Sequence, residues 1–139
     1  MKFKKPKAIL FIIIIISISL IYATYLPRSI ITISPEDVSY IHIFSGSTGK
    51  YIDVSDSEDI AHIITNLNDC KFEKGKCSIF RMGYSYELTI YKKNEKIYKK
   101  LILNSSDTVR HHGFFFTTKD SLIDLDYIDS LFTNINTAH

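Results

Sequence analysis

The residues best suited to chemistry stand side by side. The stretch "VRHHGFFF" at 109–116 sets Arg110, His111 and His112 in a row. Histidine titrates near neutral pH, so a pair of them could ligate a metal or carry a proton. A strand, however, points successive side chains to opposite faces. With 108–118 as one strand, Arg110, His112, Phe114 and Phe116 face one way, and Val109, His111, Gly113 and Phe115 face the other. His111 and His112 then cannot share a metal. His42, His62 and His139 are scattered, and no two histidines have the i, i+4 spacing of a helical zinc site.

Cys70 and Cys77 enclose "KFEKGK". No CxxC occurs, which removes the usual redox and zinc patterns. Outside the cytoplasm a disulfide is chemically permitted. Gly75 would let the chain turn back and bring the two Cα atoms within about 6 Å. Two free thiols are the alternative. No GxSxG, SxxK or HExxH motif is present, and the glycines suit turns rather than a phosphate loop. No nucleophile is assembled with a base. The expectation is a protein that is not an enzyme and needs neither metal nor cofactor.

The elements that must position these residues begin with an apolar run. Residues 8–26 carry no charge, and these 19 residues approach the roughly 20 a helix needs to cross a hydrocarbon core. Ser17, Ser19 and Thr24 interrupt the run, but a helix can satisfy their hydroxyls on its own carbonyls. Tyr22 and Tyr25 fall near its outer end, where amphipathic rings favour the interface. A cleaved signal peptide is the competing reading, but small residues at −3 and −1 are poorly placed around Ala23. Lys2, Lys4, Lys5 and Lys7 precede the run, while only Arg28 follows closely. That asymmetry puts the N-terminus in the cytoplasm and the C-terminal part outside. The expected organisation is a basic cytoplasmic segment (1–7), a transmembrane anchor in contact with membrane lipid (8–27), a linker (28–36), a domain (37–134) and a tail (135–139). All 15 acidic residues and 12 of the 17 basic ones follow Arg28, so the exported part carries 12 − 15 = −3. Nucleic acid is therefore not an expected partner, since it needs a basic face.

Beyond the linker, 38–44 and 50–55 read as a hairpin around "SGSTG", with Ile41, Ile43, Ile52 and Val54 pointing inward. Ile60, Ile63, Ile64 and Leu67 recur at helical spacing, which predicts a helix over 55–69 with Ser55 and Glu58 as a capping box. Residues 84–91 and 96–103 alternate as strands about the turn "KKNE", followed by 108–118. A second helix is expected over 120–132, with Leu122, Leu125, Ile128, Leu131 and Phe132 on one side. The order ββα-βββ(β)-α predicts an α+β fold, with an antiparallel sheet of about five strands and two amphipathic helices on one face.

The segments "ISPEDVSYIHI", "DIAHIITNLNDCKFEKGK", "GYSYELTIYKKNEKI" and "DLDYIDSLF" span most of 33–132. In this pattern the chain resembles a small membrane-anchored extracytoplasmic domain of unknown function from low-GC Gram-positive bacteria. The resemblance implies a fold and an address outside the membrane, and it brings no catalytic motif. The expected role is binding, sensing or accessory, toward an unidentified protein or envelope partner. The second reading is an inhibitor or immunity-type protein that blocks a specific enzyme or toxin. Tyr84, Tyr91, Tyr98 and His112 are the candidate contact residues, on a strand edge or on the sheet face that the helices leave open.

Overall fold

The computed structural model describes residues 5–136. The basic segment expected over 1–7 and the tail expected over 135–139 therefore lie partly outside the described residues. Helix α1 (Lys5–Ala23) is apolar on every side, and no side chain along 6–23 is buried against the domain. Its 19 residues reach about 28 Å at 1.5 Å each, long and apolar enough to cross a membrane. Two hydroxyls of the apolar run are satisfied locally. Ser17 donates to the Ile13 carbonyl at 2.8 Å, and Thr24 to that of Ile21 at 2.7 Å.

The rest is α+β. The elements run β1 (Val38–Ser45), β2 (Tyr51–Val54), α2 (Ser57–Asp69), β3 (Phe72–Cys77), β4 (Tyr86–Lys92), β5 (Ile97–Leu103), β6 (Thr108–His111), β7 (Phe114–Thr118) and α3 (Leu125–Asn136). The strands form one antiparallel sheet in the order β2-β1-β4-β5-β6-β7-β3. It has seven strands where about five are expected, for two reasons. Residues 108–118 are two strands rather than one, joined by a two-residue turn. His112 and Gly113 both have positive φ, at 48° and 79°, as a tight hairpin turn requires. The second reason is β3, whose "FEKGKC" lacks apolar alternation because it is an edge strand, buried only at Phe72.

Register puts Ile43, Leu88 and Leu101 in one row, and Tyr86, Leu103, Val109 and Phe116 in the next. This face is apolar and carries both helices. Ile60, Ile63, Ile64 and Leu67 of α2 and Ile128 of α3 complete a single core with it. Asp56 caps α2 by accepting from the amides of Glu58 (2.9 Å) and Asp59 (3.2 Å), so the helix starts one turn position later than a Ser55 cap would set it. Helix α3 starts at Leu125, not 120. Before it, Ile123 is buried with its amide on the Ser106 carbonyl at 2.7 Å, and Leu122 is exposed rather than on the inner side.

The expected linker 28–36 is not a spacer. Ile30, Ile31 and Ile33 are buried in the core. Lys99 Nζ donates to the Ile30 carbonyl at 2.6 Å, and Asn68 Nδ2 to that of Ile33 at 2.8 Å. Arg28 and Phe72 exchange both backbone hydrogen bonds, at 2.9 and 3.0 Å, which shields the outer edge of β3. The domain thus begins within a few residues of the end of α1.

Candidate functional site

Strand alternation leaves the second sheet face without a helix. Along β1, β2, β4 and β5 it presents Tyr40, His42, Tyr51, Asp53, Glu87, Tyr91 and Lys100. These side chains are held by one another. The Tyr40 and Tyr91 rings stack at 4.4 Å with 11° between planes. His42 Nδ1 lies 2.6 Å from Asp53 Oδ1, and its ring is 5.2 Å from that of Tyr51. Lys100 Nζ sits 2.8 Å from Glu87 Oε1. Cross-strand pairs of this kind hold the side chains in fixed rotamers.

The other half of this face is crossed by the segment 78–85, which runs from the end of β3 back to β4. Arg110 organises it. Its Nε donates to Asn104 Oδ1 at 3.0 Å, its Nη2 to the Gly83 carbonyl at 2.7 Å, and its Nη1 to the Arg81 carbonyl. The guanidinium also lies over Tyr84 and Phe115, 5.8 and 6.0 Å from their ring centroids.

The four expected contact residues do not come together. Tyr91 is on the open face, and Tyr84 lies under Arg110 beside it. Tyr98 is on the opposite side, where its hydroxyl accepts from the Thr32 amide at 3.1 Å. His112 stands at the tip of the β6–β7 hairpin. A bulge between Ile90 and Tyr91 separates Tyr98 from the alternation of its strand. Sequence reasoning passed over Tyr40, His42 and Asp53. Their signal was available in the offset of "SYIHI" against "YIDV", which pairs His42 with Asp53 once the hairpin is registered.

The two histidines also depart from expectation. The turn at His112 ends the alternation, and the rings of His111 and His112 stack at 3.9 Å instead of pointing apart. Burial holds His111 down at a pKa of about 4, with His112, Lys99 and Arg28 adding to the effect. Among the described residues no three His, Cys, Asp or Glu side chains gather to hold a metal ion.

Of the two readings of the cysteines, the structure has the free thiols, and Cys70 and Cys77 are not bonded to each other. Residues 72–77 are extended, and Gly75 lies within the strand instead of turning the chain. At about 3.3 Å per residue the thiols are roughly 20 Å apart along the chain, against the ~6 Å a disulfide tolerates. Cys70 is fully buried and Cys77 exposed. Burial, then the Asp69 carboxylate, push the Cys70 thiol up, which makes it inert.

A second polar cluster joins the helices. His62 Nε2 lies 2.9 Å from Asp124 Oδ2, and its ring stacks on Tyr127 at 3.7 Å. The Tyr127 hydroxyl donates to Asp59 Oδ1 at 2.6 Å, and that carboxylate pushes the phenol up to about 12. The hydrogen bond from His62 holds the Asp124 carboxyl low. Both pairs tie α2 to the start of α3, and the open depressions beside His62 and Asp124 are lined mostly by carboxylates and amides, with no nucleophile set against a base. Comparison with protein-family models, with curated proteins and with solved structures returned no match.

Proposed function

We propose that this chain is a single-pass membrane protein that displays its α+β domain outside the cell as a binding or accessory module. The observation that carries the proposal is the preorganised aromatic and polar face of β1, β2, β4 and β5. Tyr40, Tyr91, His42 and Tyr51 offer flat, partly exposed surface with hydrogen-bonding tips, the composition that recurs at protein interfaces. The address rests on α1 and on the lysine excess before it. The partner is a protein or envelope component. It is met by side chains rather than by an open strand edge, since one edge strand is short and the other is covered by Arg28.

The test uses the full chain in its membrane with a C-terminal tag. External protease should remove the tag from intact cells, and a protected tag overturns the orientation. Cross-linked material captured by the wild-type chain should be lost from a Tyr91→Glu variant. Equal capture by both would overturn the assignment of this face.

A further inference from the structure

The segment 78–83, "SIFRMG", carries the two most exposed apolar side chains among the described residues, Phe80 and Met82, with Ile79 beside them. Phe80 is 98% exposed, Met82 96% and Ile79 58%. Phe80 also has φ of 65°, a conformation that non-glycine residues rarely adopt. The exposure does not come from a loose loop. Ser78 N donates to the Gly113 carbonyl at 2.8 Å and Arg81 N to that of Ser78 at 3.1 Å. Arg110 and Asn104 Nδ2 both donate to the Gly83 carbonyl, at 2.7 and 3.0 Å. Backbone polar groups of the loop are thus paired within the protein, while its large apolar side chains are turned outward.

The position of this loop says what covers it. The Arg28–Phe72 bridge is antiparallel, so the chain running back from Arg28 toward α1 follows β3 in the direction of Cys77. Tyr25 confirms that direction, with Lys74 Nζ 5.4 Å from its ring centroid. The loop starts just past Cys77, about 10 Å beyond Gly75 at strand rise. The end of α1 and the start of the apolar loop therefore lie along the same edge strand, from which the loop crosses toward β6. The nearby charges are mostly basic: Lys74, Lys76 and Arg81, with Glu73 taken up by Lys119 at 2.9 Å. Apolar side chains with cations around them suit the boundary between anionic headgroups and acyl chains.

We infer that the 78–83 loop inserts Phe80 and Met82 into the outer interface of the same bilayer that α1 spans, as a second point of attachment. This rests on the membrane-anchored reading above. Two attachments fix the tilt of the domain. The β3, β7 and β6 side lies against the lipid, and the Tyr40, His42 and Tyr51 half of the open face stays clear of it.

The chain has no tryptophan, so a single introduced one reports its own surroundings. Full-length Phe80→Trp and Met82→Trp would be placed in vesicles of phosphatidylcholine and phosphatidylglycerol, with and without bromine on the acyl chains. Tyr51→Trp, exposed on the far edge strand, is the control. The inference expects blue-shifted emission, quenched by the brominated chains, from positions 80 and 82 but not from 51. Flotation of the vesicles is scored in the same samples. If the chain floats while position 80 is quenched only by aqueous iodide, as position 51 is, the insertion is overturned and the anchor stands. A blue shift that grows with protein-to-lipid ratio and ignores bromine means contact with a second copy, which also overturns it. A chain that does not float overturns the anchor and the insertion together.

Discussion

Removing His111 should flatten the acid side of the stability profile. The imidazole lies on the core face, beside Phe116 at 6.3 Å, and is stacked by His112. The charged groups near it are Lys99 on β5 and Arg28, which is bridged to Phe72 at the edge of β3, both positive. It therefore folds neutral, with its pKa lowered from 6.5 to about 4. The unfolded chain binds that proton more readily. The contribution is fully present above pH 6.5 and is lost as pH falls from there toward 4. Linkage across this window gives about 2 kcal/mol between pH 7 and pH 5, and partial contact with water reduces it to about 1 kcal/mol. With a urea slope of roughly 1–3 kcal/mol/M, the wild-type midpoint should drop by about 0.5 M between those pH values. His111→Leu should remove that drop, measured by urea titration of the full chain in detergent micelles. The His42–Asp53 and His62–Asp124 pairs are the same in both chains, so the difference between the two profiles isolates His111. Asp107 and Asp124 have lowered pKa values, and their contributions are lost only at pH below about 4, outside the window. A variant whose midpoint falls in parallel with the wild type would refute the half-buried, neutral imidazole.

Asp56→Ala removes the acceptor for two amides at the start of α2 and should destabilise the chain by about 1 kcal/mol, read as a lower urea midpoint. A maleimide should label Cys77 at once and Cys70 only after unfolding, with no change in mobility on reduction. Protection of both thiols that is relieved by reductant would restore the disulfide.

The core was legible in the sequence because its signals are local and periodic. Ile60, Ile63, Ile64 and Leu67 announce α2, and Ile41, Ile43, Ile52 and Val54 announce the first hairpin; all eight are buried. Strand β3 was not legible, because an edge strand with one buried residue has no period to detect. Nor was the role of 28–33. Its isoleucines look like the tail of the apolar run, and only the contacts with Asn68, Lys99 and Phe72 place them in the domain. The open face was half legible. Tyr91 stands out in the sequence, but its partner Tyr40 is about fifty residues away, and pairing them needs a strand order that skips from β1 to β4.

The stretch 109–116 shows how neighbours in sequence divide their work once register is known. Val109 is core, and Arg110 on the other face pins the carbonyls of the apolar loop. His111 lies half-buried next to the chain that leads to α1, and His112 makes the turn that lets β7 return. The cluster that looked like a reactive centre is a junction instead. Through Arg110 it shapes the 78–83 loop, and through His111 it meets the 28–33 segment. A change at Arg110 should therefore loosen the 78–83 loop before it alters whether the domain folds, because the carbonyls it holds belong to an exposed loop and not to the core.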